Sequence, residues 1–544
     1  MMRMMLRKWM DRCFTSLSSL TIVLLAGALL LFLIPMFARG MTAVFFGATV
    51  EFRKMQAELF KRGDNDALRR EIERTDAARA EVFAVLEGFS AGIDTEQLES
   101  KAKTLYRQYG DELRYREVSS DQFLALRQEA RAIRDRLIEA FDSRDKADVY
   151  AILDQLTETY GDDSRFVGTS MEHMIQMAAT YRRTIEGVDL NRREDYAAEL
   201  EAVKEQLRAL FGPLPGESTP SLAMYRFGAT RRDVMEKHIQ YLVWQEKWVQ
   251  QAPDQPLVKV AVRRDDTEQG VFAGTELAPL FALVESQAEA MFEPRSTFYW
   301  QYFIDDSTPG HYFGGVGPEV LGTLLLTLLA MLFAVPLGVI SAAYLVEYAG
   351  QNGVIKIIRT CINTLAGVPS IVYGLFGLAF FVMLVGNPCI LTASMTLSLL
   401  VLPVIIRASE EAIRAVPQTY REASLALGAG TFRTFVTVTL PAAGPGILTG
   451  IILSLSRAAG ETAPILFAGA VALGPVPDFS GKWWLQPTRA LSYGSYDITV
   501  GDKLAMMAPH NQYGMVTTLI LLVLLLNVTA IVIRSRMSRK LRGT

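Results

Sequence analysis

Residues 416–464 read VPQTYREASLALGAGTFRTFVTVTLPAAGPGILTGIILSLSRAAGETAP, and this stretch decides the fold. Its first half is polar and helical in pattern, with Glu422, Ala423 and Ser424 ahead of Gly428, then Val438, Leu440 and Pro441. Its second half opens an apolar span, about Gly446 to Val471, that holds Arg457 and Glu461. Glycine tolerates positive φ, so Gly428 is where a helix can stop and turn. The expected unit is a knob between two membrane spans: a short amphipathic helix, a glycine break and a second helical piece. Pro417 and Pro441 are expected to bracket it, because proline is accepted at a helix start and hinders continuation elsewhere.

Outward from this knob, apolar runs cover residues 17–37, 319–345, 363–385, 389–407, 446–471 and 514–534. Runs of about 20 residues, rising 1.5 Å each, match a hydrocarbon core ~30 Å thick. The third and fourth runs meet at a tight turn, Gly386-Asn387-Pro388, and the last two are separated by an irregular stretch with Pro475, Pro477, Pro487 and Pro509. Arg3, Arg7, Lys8 and Arg12 precede the first run. A cleaved signal peptide shares that basic start, but its apolar core is usually ~7–15 residues, so the run is read as a retained span. Six spans put both ends on one side. Arg534, Arg536, Arg539, Lys540 and Arg542 follow the last span, and the positive-inside rule then assigns both ends to the cytoplasm. Alternation brings the 346–362 and 408–445 loops inside as well, the second with Arg414, Arg421 and Arg433, just after Arg407.

The 544 residues are 50% hydrophobic with a mean hydropathy of +0.20, too polar for a chain that is membrane throughout. The polar share lies between the first two spans. Residues 40–317 carry 35 Lys/Arg against 48 Asp/Glu, while the remainder of the chain is net basic. An acidic, span-free insert excludes nucleic acid as a partner. Topology assigns it to the extracytoplasmic side. Its apolar residues recur at helical spacing: Leu68, Ile72, Val82, Phe83 and Leu86; Phe123, Leu126, Ile133, Leu137 and Phe141; Tyr196, Leu200, Val203, Leu207 and Leu210. Such stripes pack as a helical bundle rather than a long coiled coil, because Gly and Asp/Asn breaks recur every 20–30 residues. The run GPLPG at 212–216 closes the helical series, Leu257–Val262 and Gly270–Phe272 suggest short strands, and FYWQYF at 298–303 fits a membrane interface or an aromatic cluster. The domain plan is therefore 1–39 with the first span, an insert over 40–317, and a membrane core over 318–544. The fold class is an all-α membrane protein of six transmembrane helices, with a mainly helical extra domain of minor β content. Cys13, Cys361 and Cys389 offer no disulfide framework, and no metal-ligand spacing links them to the four histidines.

Glu422-Ala423-Ser424, three residues, Gly428, nine residues, then Val438-x-Leu440-Pro441 resembles the cytoplasmic coupling loop of bacterial ABC import permeases. The family pattern is Glu-Ala-Ala, three residues, Gly, nine residues, Ile-x-Leu-Pro; Ser424 and Val438 are mild departures. RAAGETAP at 457–464 and AGVPSIVYGLFG at 366–377 are similar to the A-type permease subunit of the phosphate-specific transporter. The resemblance covers roughly residues 317–540 plus the first span and leaves the insert unexplained. It implies a C-type permease partner, a dimer of ATPase subunits, an extracytoplasmic phosphate-binding protein, phosphate as cargo and membrane lipid as surroundings. It implies no cofactor and no catalysis by this subunit. The chain lacks the G-x-x-x-x-G-K-[ST] phosphate loop, so ATP hydrolysis would belong to a partner.

In this reading Glu422, Ala423, Ser424, Gly428, Leu440 and Pro441 couple the permease to the ATPase; the plain alternative is an ordinary inter-span loop. Arg457 and Glu461 lie near the middle of an expected span, one helical turn apart. Each would cost about 2.5–3.5 kcal/mol at a lipid-facing helix centre, so both should face protein or water. They form either a structural salt bridge or an anion path in which Arg457 binds oxyanion and Glu461 is its resting partner. Gly367, Pro369, Gly374 and Gly377 allow close helix packing, with a hinge as the alternative. A permease for another oxyanion such as sulfate or molybdate, or a membrane-anchored sensor or scaffold, are the competing functions. The insert could dock the binding protein, contact the envelope or regulate.

Overall fold

Contacts divide the chain into two units, one of residues 1–46 with 297–544 and the other of residues 47–296. The computed structural model describes residues 2–115, 119–249, 257–267, 270–307, 313–350, 352–471, 476–477, 479, 481–500 and 509–542. The first unit opens with α1 (Met2–Met41), of which Cys13–Met41 is long and apolar enough to cross a membrane. The division falls within β1 (Phe45–Ala48) and, on the return, within β4 (Arg295–Phe298).

The 47–296 unit is a helical bundle. It comprises α2 (Val50–Phe60), α3 (Asn65–Ile93), α4 (Thr95–Tyr115), α5 (Ser120–Asp142), α6 (Lys146–Tyr160), α7 (Ser170–Thr184), α8 (Arg193–Phe211), the short α9 (Ala223–Arg226), α10 (Arg232–Val243) and α11 (Ala278–Phe292). An antiparallel hairpin, β2 (Trp244–Val249) with β3 (Val258–Arg263), sits between the last two helices with Trp244 opposite Arg263. Helix starts follow the polar residues before them. Asp64 accepts from the Asp66 and Ala67 N–H groups, and Asp145 from Ala147, satisfying donors that have no partner within the helix. Val82, Leu86, Ile133, Leu137, Phe141, Tyr196, Val203 and Leu207 all enter one core, where Phe141 meets Tyr181 edge-on at 4.9 Å.

Two sequence expectations change here. Leu68 and Ile72 are only half-buried, because the first turns of α3 bury Glu71, Thr75 and Arg79 instead. Arg79 donates to Glu51 Oε1 at 2.9 Å and to the Met291 carbonyl at 2.7 and 3.0 Å, beside the stacked rings of Phe211 and Phe292. Both charged side chains are buried, so removing either partner would cost about 3–5 kcal/mol. Gly270–Phe272 is a turn rather than a strand. Its N–H groups are used locally, Gly270 donating to Asp266 and Phe272 to Arg264, which leaves no ladder to form.

The membrane unit continues with α12 (Gly317–Ala343), α13 (Gly353–Leu365), α14 (Ser370–Gly377), α15 (Met383–Val385), α16 (Ile390–Arg414), α17 (Gln418–Ala426), α18 (Thr431–Thr434), α19 (Leu440–Gly460), α20 (Ala463–Ala468), α21 (Leu491–Val500) and α22 (Pro509–Arg542). Among the described residues five stretches qualify as unbroken spans: Cys13–Met41, Gly317–Tyr348, Ile390–Arg414, Thr431–Gly460 and His510–Arg539. The expected 363–385 span is a bent pair instead, Gly353–Leu365 and Ser370–Val385, at 101°. Pro369 explains the break: its ring excludes helical geometry from Val368 and it has no N–H to continue the ladder. The expected 446–471 span is also displaced. One helical stretch runs from Thr431 to Gly460, and Pro441 does not end it. A π turn over Phe435–Thr439 absorbs the missing proline N–H, so the helix passes through.

Small residues set the helix spacing in this unit. A Cβ on Gly338 would stand 2.5 Å from Ile405, and one on Gly446 2.7 Å from Ala412. Ser456 donates to Asn527 Oδ1 at 2.7 Å, tying α19 to α22. In the aromatic run, Tyr299 and Tyr302 are buried while Phe298, Trp300 and Phe303 are exposed. The irregular stretch before the last span includes α21; Pro475 lies outside the described residues.

Candidate coupling turn and anion site

α17 follows α16 directly and ends as its sequence dictates. Gly428 has φ +84°, Ala429 N–H donates to the Ser424 carbonyl at 3.2 Å and Gly428 N–H to Leu425 at 2.9 Å. This pair of bonds is a Schellman cap, which a residue with a side chain adopts only under strain. Pro417 stands immediately before α17 as expected. Ser424 Oγ lies 2.9 Å from Thr434 Oγ1, so the departure from alanine adds a hydrogen bond that clips α17 to α18. No residue of α17 is buried. Glu422, Ala423, Tyr420, Leu425 and, beyond it, Leu427 and Phe432 are exposed together. Leu440 and Pro441 lie past the π turn, in α19.

The residue that fastens this turn to the spans is Arg421. Its Nε stands 3.0 Å from Glu347 Oε1, with both side chains largely buried. Its other nitrogens donate to the Ile413 carbonyl at 2.7 Å and the Val416 carbonyl at 2.9 Å, at the end of α16. Glu347 ends the α12 span in a π turn over Tyr344–Tyr348. One guanidinium thus joins the α17 turn to two membrane helices. The sequence marked Arg421 only as loop charge; its position three residues after a polar-helix start, with an acid at the end of an earlier span, was the available signal.

Arg457 and Glu461 are brought together, at 3.4 Å, but not in mid-helix. α19 stops at Gly460, and Glu461 is extended with φ −78° and ψ 130°. The pair marks a helix end, where the chain breaks before α20 restarts with Pro464 in its first turn. Arg457 remains 40% exposed at its side chain, so its guanidinium has donors to spare beyond the single contact. The Glu461 carbonyl accepts from Ser492 Oγ at 3.2 Å, bringing α21 beside the break.

Gly374 faces the same break. A Cβ there would meet the Ala463 carbonyl at 2.7 Å and Pro464 at 3.1 Å, and one on Gly377 would fall inside the Thr396 side chain. These two glycines permit contact with α20 and α16. Gly367 and Pro369 do something different: they occupy the 101° break, where a Cβ on Gly367 would meet only the Thr364 carbonyl, at 3.4 Å.

A further polar cluster escaped the sequence reading. Arg489 Nη1 donates to Asp306 Oδ1 at 2.8 Å and Ser307 Oγ at 2.7 Å and stands 3.6 Å from the fully buried Glu319. Arg489 lies 183 residues from Asp306 and 182 from Ser307 in sequence, so no spacing announces the cluster. The described residues contain no group of His, Cys, Asp and Glu suited to a metal ion.

The model of the family described as binding-protein-dependent transport system inner membrane component matches residues 334–543, which include α13 to α22. The probable ABC transporter permease protein YqgI of Bacillus subtilis is 42% identical over 159 residues, 29% of this chain and 54% of that protein. The phosphate transport system permease protein PstA 1 of Mycobacterium tuberculosis is 40% identical over 180 residues, 33% of this chain and 59% of that one. The chain thus spans between half and three fifths of the length of these two relatives. PstA of Pasteurella multocida is 30% identical over 217 residues, 40% of this chain and 75% of that protein. With a turn of the coupling pattern beside apolar spans, and three quarters of a phosphate permease matched, this chain belongs to the binding-protein-dependent transport inner-membrane components, in the phosphate-permease family.

Proposed function

We propose that this chain is a permease subunit of an ATP-driven importer for inorganic phosphate, and not itself an enzyme. The observation that carries the reading is the exposed α17 turn fastened to two spans through Arg421. Such a knob is a lever: a partner that grips Tyr420, Glu422 and Ala423 moves the ends of α12 and α16. The partner that supplies the motion is a dimer of ATPase subunits on the cytoplasmic side. A C-type permease completes the pathway, and a phosphate-binding protein delivers cargo from outside.

The 47–296 bundle lies on the extracytoplasmic side in this scheme, since one span precedes it and its charge is acidic. Phosphate carries one to two negative charges near neutrality, so a pathway needs a cation where hydration is stripped. Arg457, partly exposed at the α19–α20 break, supplies a planar fork for two oxygens. Glu461 holds that fork at rest and yields it to the anion. Gly367 and Pro369 would let the bent α13–α14 pair shift, whereas Gly374 and Gly377 hold α14 against its neighbours.

The test is uptake by the full complex, co-expressed with its ATPase, C-type permease and binding protein and reconstituted in vesicles. ATP-dependent accumulation of phosphate, undiminished by excess sulfate or molybdate, is the expected result. Accumulation of those anions in place of phosphate would move the assignment to another oxyanion permease, and no ATP-dependent uptake of any anion would refute transport.

A further inference from the structure

At the membrane boundary that carries the α17 turn, the last two turns of α16 and the helix α13 enclose a cavity of about 240 Å³. Arg359, Arg407 and Arg414 line it with Glu410, Glu411 and Asn363. Glu410 is shared by two of the arginines, at 3.3 Å from Arg359 and 2.6 Å from Arg414. Arg407 is exposed and pairs with no carboxylate among the described residues. Arg359 also donates to the Leu345 carbonyl at 2.8 Å, yet its Nε is buried with no hydrogen-bond partner. Guanidinium donors therefore outnumber the acceptors offered to them.

The helix beside the cavity explains what could fill it. No residue of α13 is buried, and Val354, Ile357, Ile358 and Leu365 form an exposed apolar face at i, i+3, i+4 and i+11. Arg359, Ile362 and Asn363 lie on the face toward the cavity. A helix bent by 101° from the next, apolar outward and cationic inward, has the form of an interfacial helix. Basic pockets between membrane helices on such a boundary take anionic headgroups.

We infer that this cavity binds the phosphate group of an anionic phospholipid, with Arg407 and Arg359 on its oxygens and the acyl chains along the outer face of α13. The shared chemistry is a phosphate oxyanion. The lipid source is favoured because the apolar helix face is continuous with the site, and free phosphate has no use for it. The inference does not depend on which anion the pathway carries.

The test uses the full chain in its assembled complex, purified in detergent from vesicles of equimolar phosphatidylcholine and phosphatidylglycerol. Native mass spectrometry reads the phosphatidylglycerol retained. Arg407→Gln is expected to lower retention about fivefold, the attraction of one basic residue to an anionic headgroup, while retention of phosphatidylcholine stays constant and shows the fold intact. Arg407→Lys should restore most of it. Excess inorganic phosphate should not displace the lipid. Equal retention by wild type and Arg407→Gln would overturn the proposal. So would displacement by inorganic phosphate, which would assign the site to the free anion. Protection of an Arg407→Cys thiol from maleimide by the ATPase subunits, in lipid-free complex, would assign it to a protein contact and overturn it equally.

Discussion

Arg421 and Glu347 are 74 residues apart in sequence and 3.0 Å apart in space, and the same guanidinium also caps the carbonyls of Ile413 and Val416. The ion pair alone could be reversed; the two carbonyl contacts cannot, since they need a donor at position 421. Arg421→Ala should lower stability by about 3 kcal/mol, because it strands a largely buried carboxylate as well as two helix-end acceptors. The exchange Arg421→Glu with Glu347→Arg should not recover stability or ATPase co-purification. Thermal melting of the detergent-solubilised protein and pull-down of the ATPase measure both; full recovery by the exchange would mean that the carbonyl contacts contribute nothing.

At Gly428 the backbone, not space, sets the cost of a side chain. Nothing lies within 4 Å of where its Cβ would be, while φ is +84°. Gly428→Asn should therefore be nearly silent and Gly428→Val should cost about 1–2 kcal/mol in local stability. Gly428→Asp should fall between them in stability, but its carboxylate beside Leu427 and Phe432 should weaken ATPase capture. Co-purification yields at matched membrane levels distinguish the three.

The glycines of α14 separate packing from hinge. Gly377→Val should lower the melting midpoint markedly, by about 1–3 kcal/mol of overpacking against Thr396, and Gly374→Val should do the same against Ala463 and Pro464. Gly367→Ala should leave stability nearly unchanged, because its surroundings are open. A hinge role at Gly367 would then appear only in uptake rate, at normal melting temperature.

His238 gives the helical bundle a pH dependence. Burial, with a smaller contribution from nearby Lys237, pushes its pKa down from 6.5 to about 4, and Gln206 Oε1 lies 3.3 Å from its Nδ1. Between those values the unfolded chain binds the extra proton, so stability is full above pH 6.5 and falls as pH drops toward 4. Residues 45–300 expressed alone should fold as a helical domain. They should lose about 2 kcal/mol more between pH 7 and pH 5 than the His238→Gln variant, read by urea unfolding. Equal losses would mean the ring is not the proton sink.

The parts legible in sequence were those written in local pattern. Apolar length found four of the six expected spans in place, and Glu422 to Gly428 found the turn, because capping geometry depends on a few adjacent residues. The stripe from Tyr196 to Leu210 found the α8 core face for the same reason. What stayed hidden were pairings between distant charges: Arg79 with Glu51, Arg421 with Glu347, Arg489 with Asp306 and Glu319. Hydropathy reads each as a surface residue, and only the fold brings its partner. The end of α19 at Gly460 was hidden for a related reason. The apolar run continues past it to Val471, so nothing in hydropathy marks the break that Pro464 follows.

Central to this account is Arg457 as the anion contact at the α19–α20 break, with Glu461 at 3.4 Å as its resting partner. The direct measurement is the initial rate of ATP-driven phosphate uptake by the reconstituted complex carrying Arg457→Lys, beside Glu461→Gln. Lysine keeps the charge and loses the fork, so uptake should fall about tenfold or more, the worth of one charge-assisted hydrogen bond, at unchanged melting temperature and ATPase capture. Glu461→Gln should lower it less, since the amide still accepts a hydrogen bond from Arg457. Wild-type uptake by Arg457→Lys would contradict the account and leave the pair as a structural salt bridge.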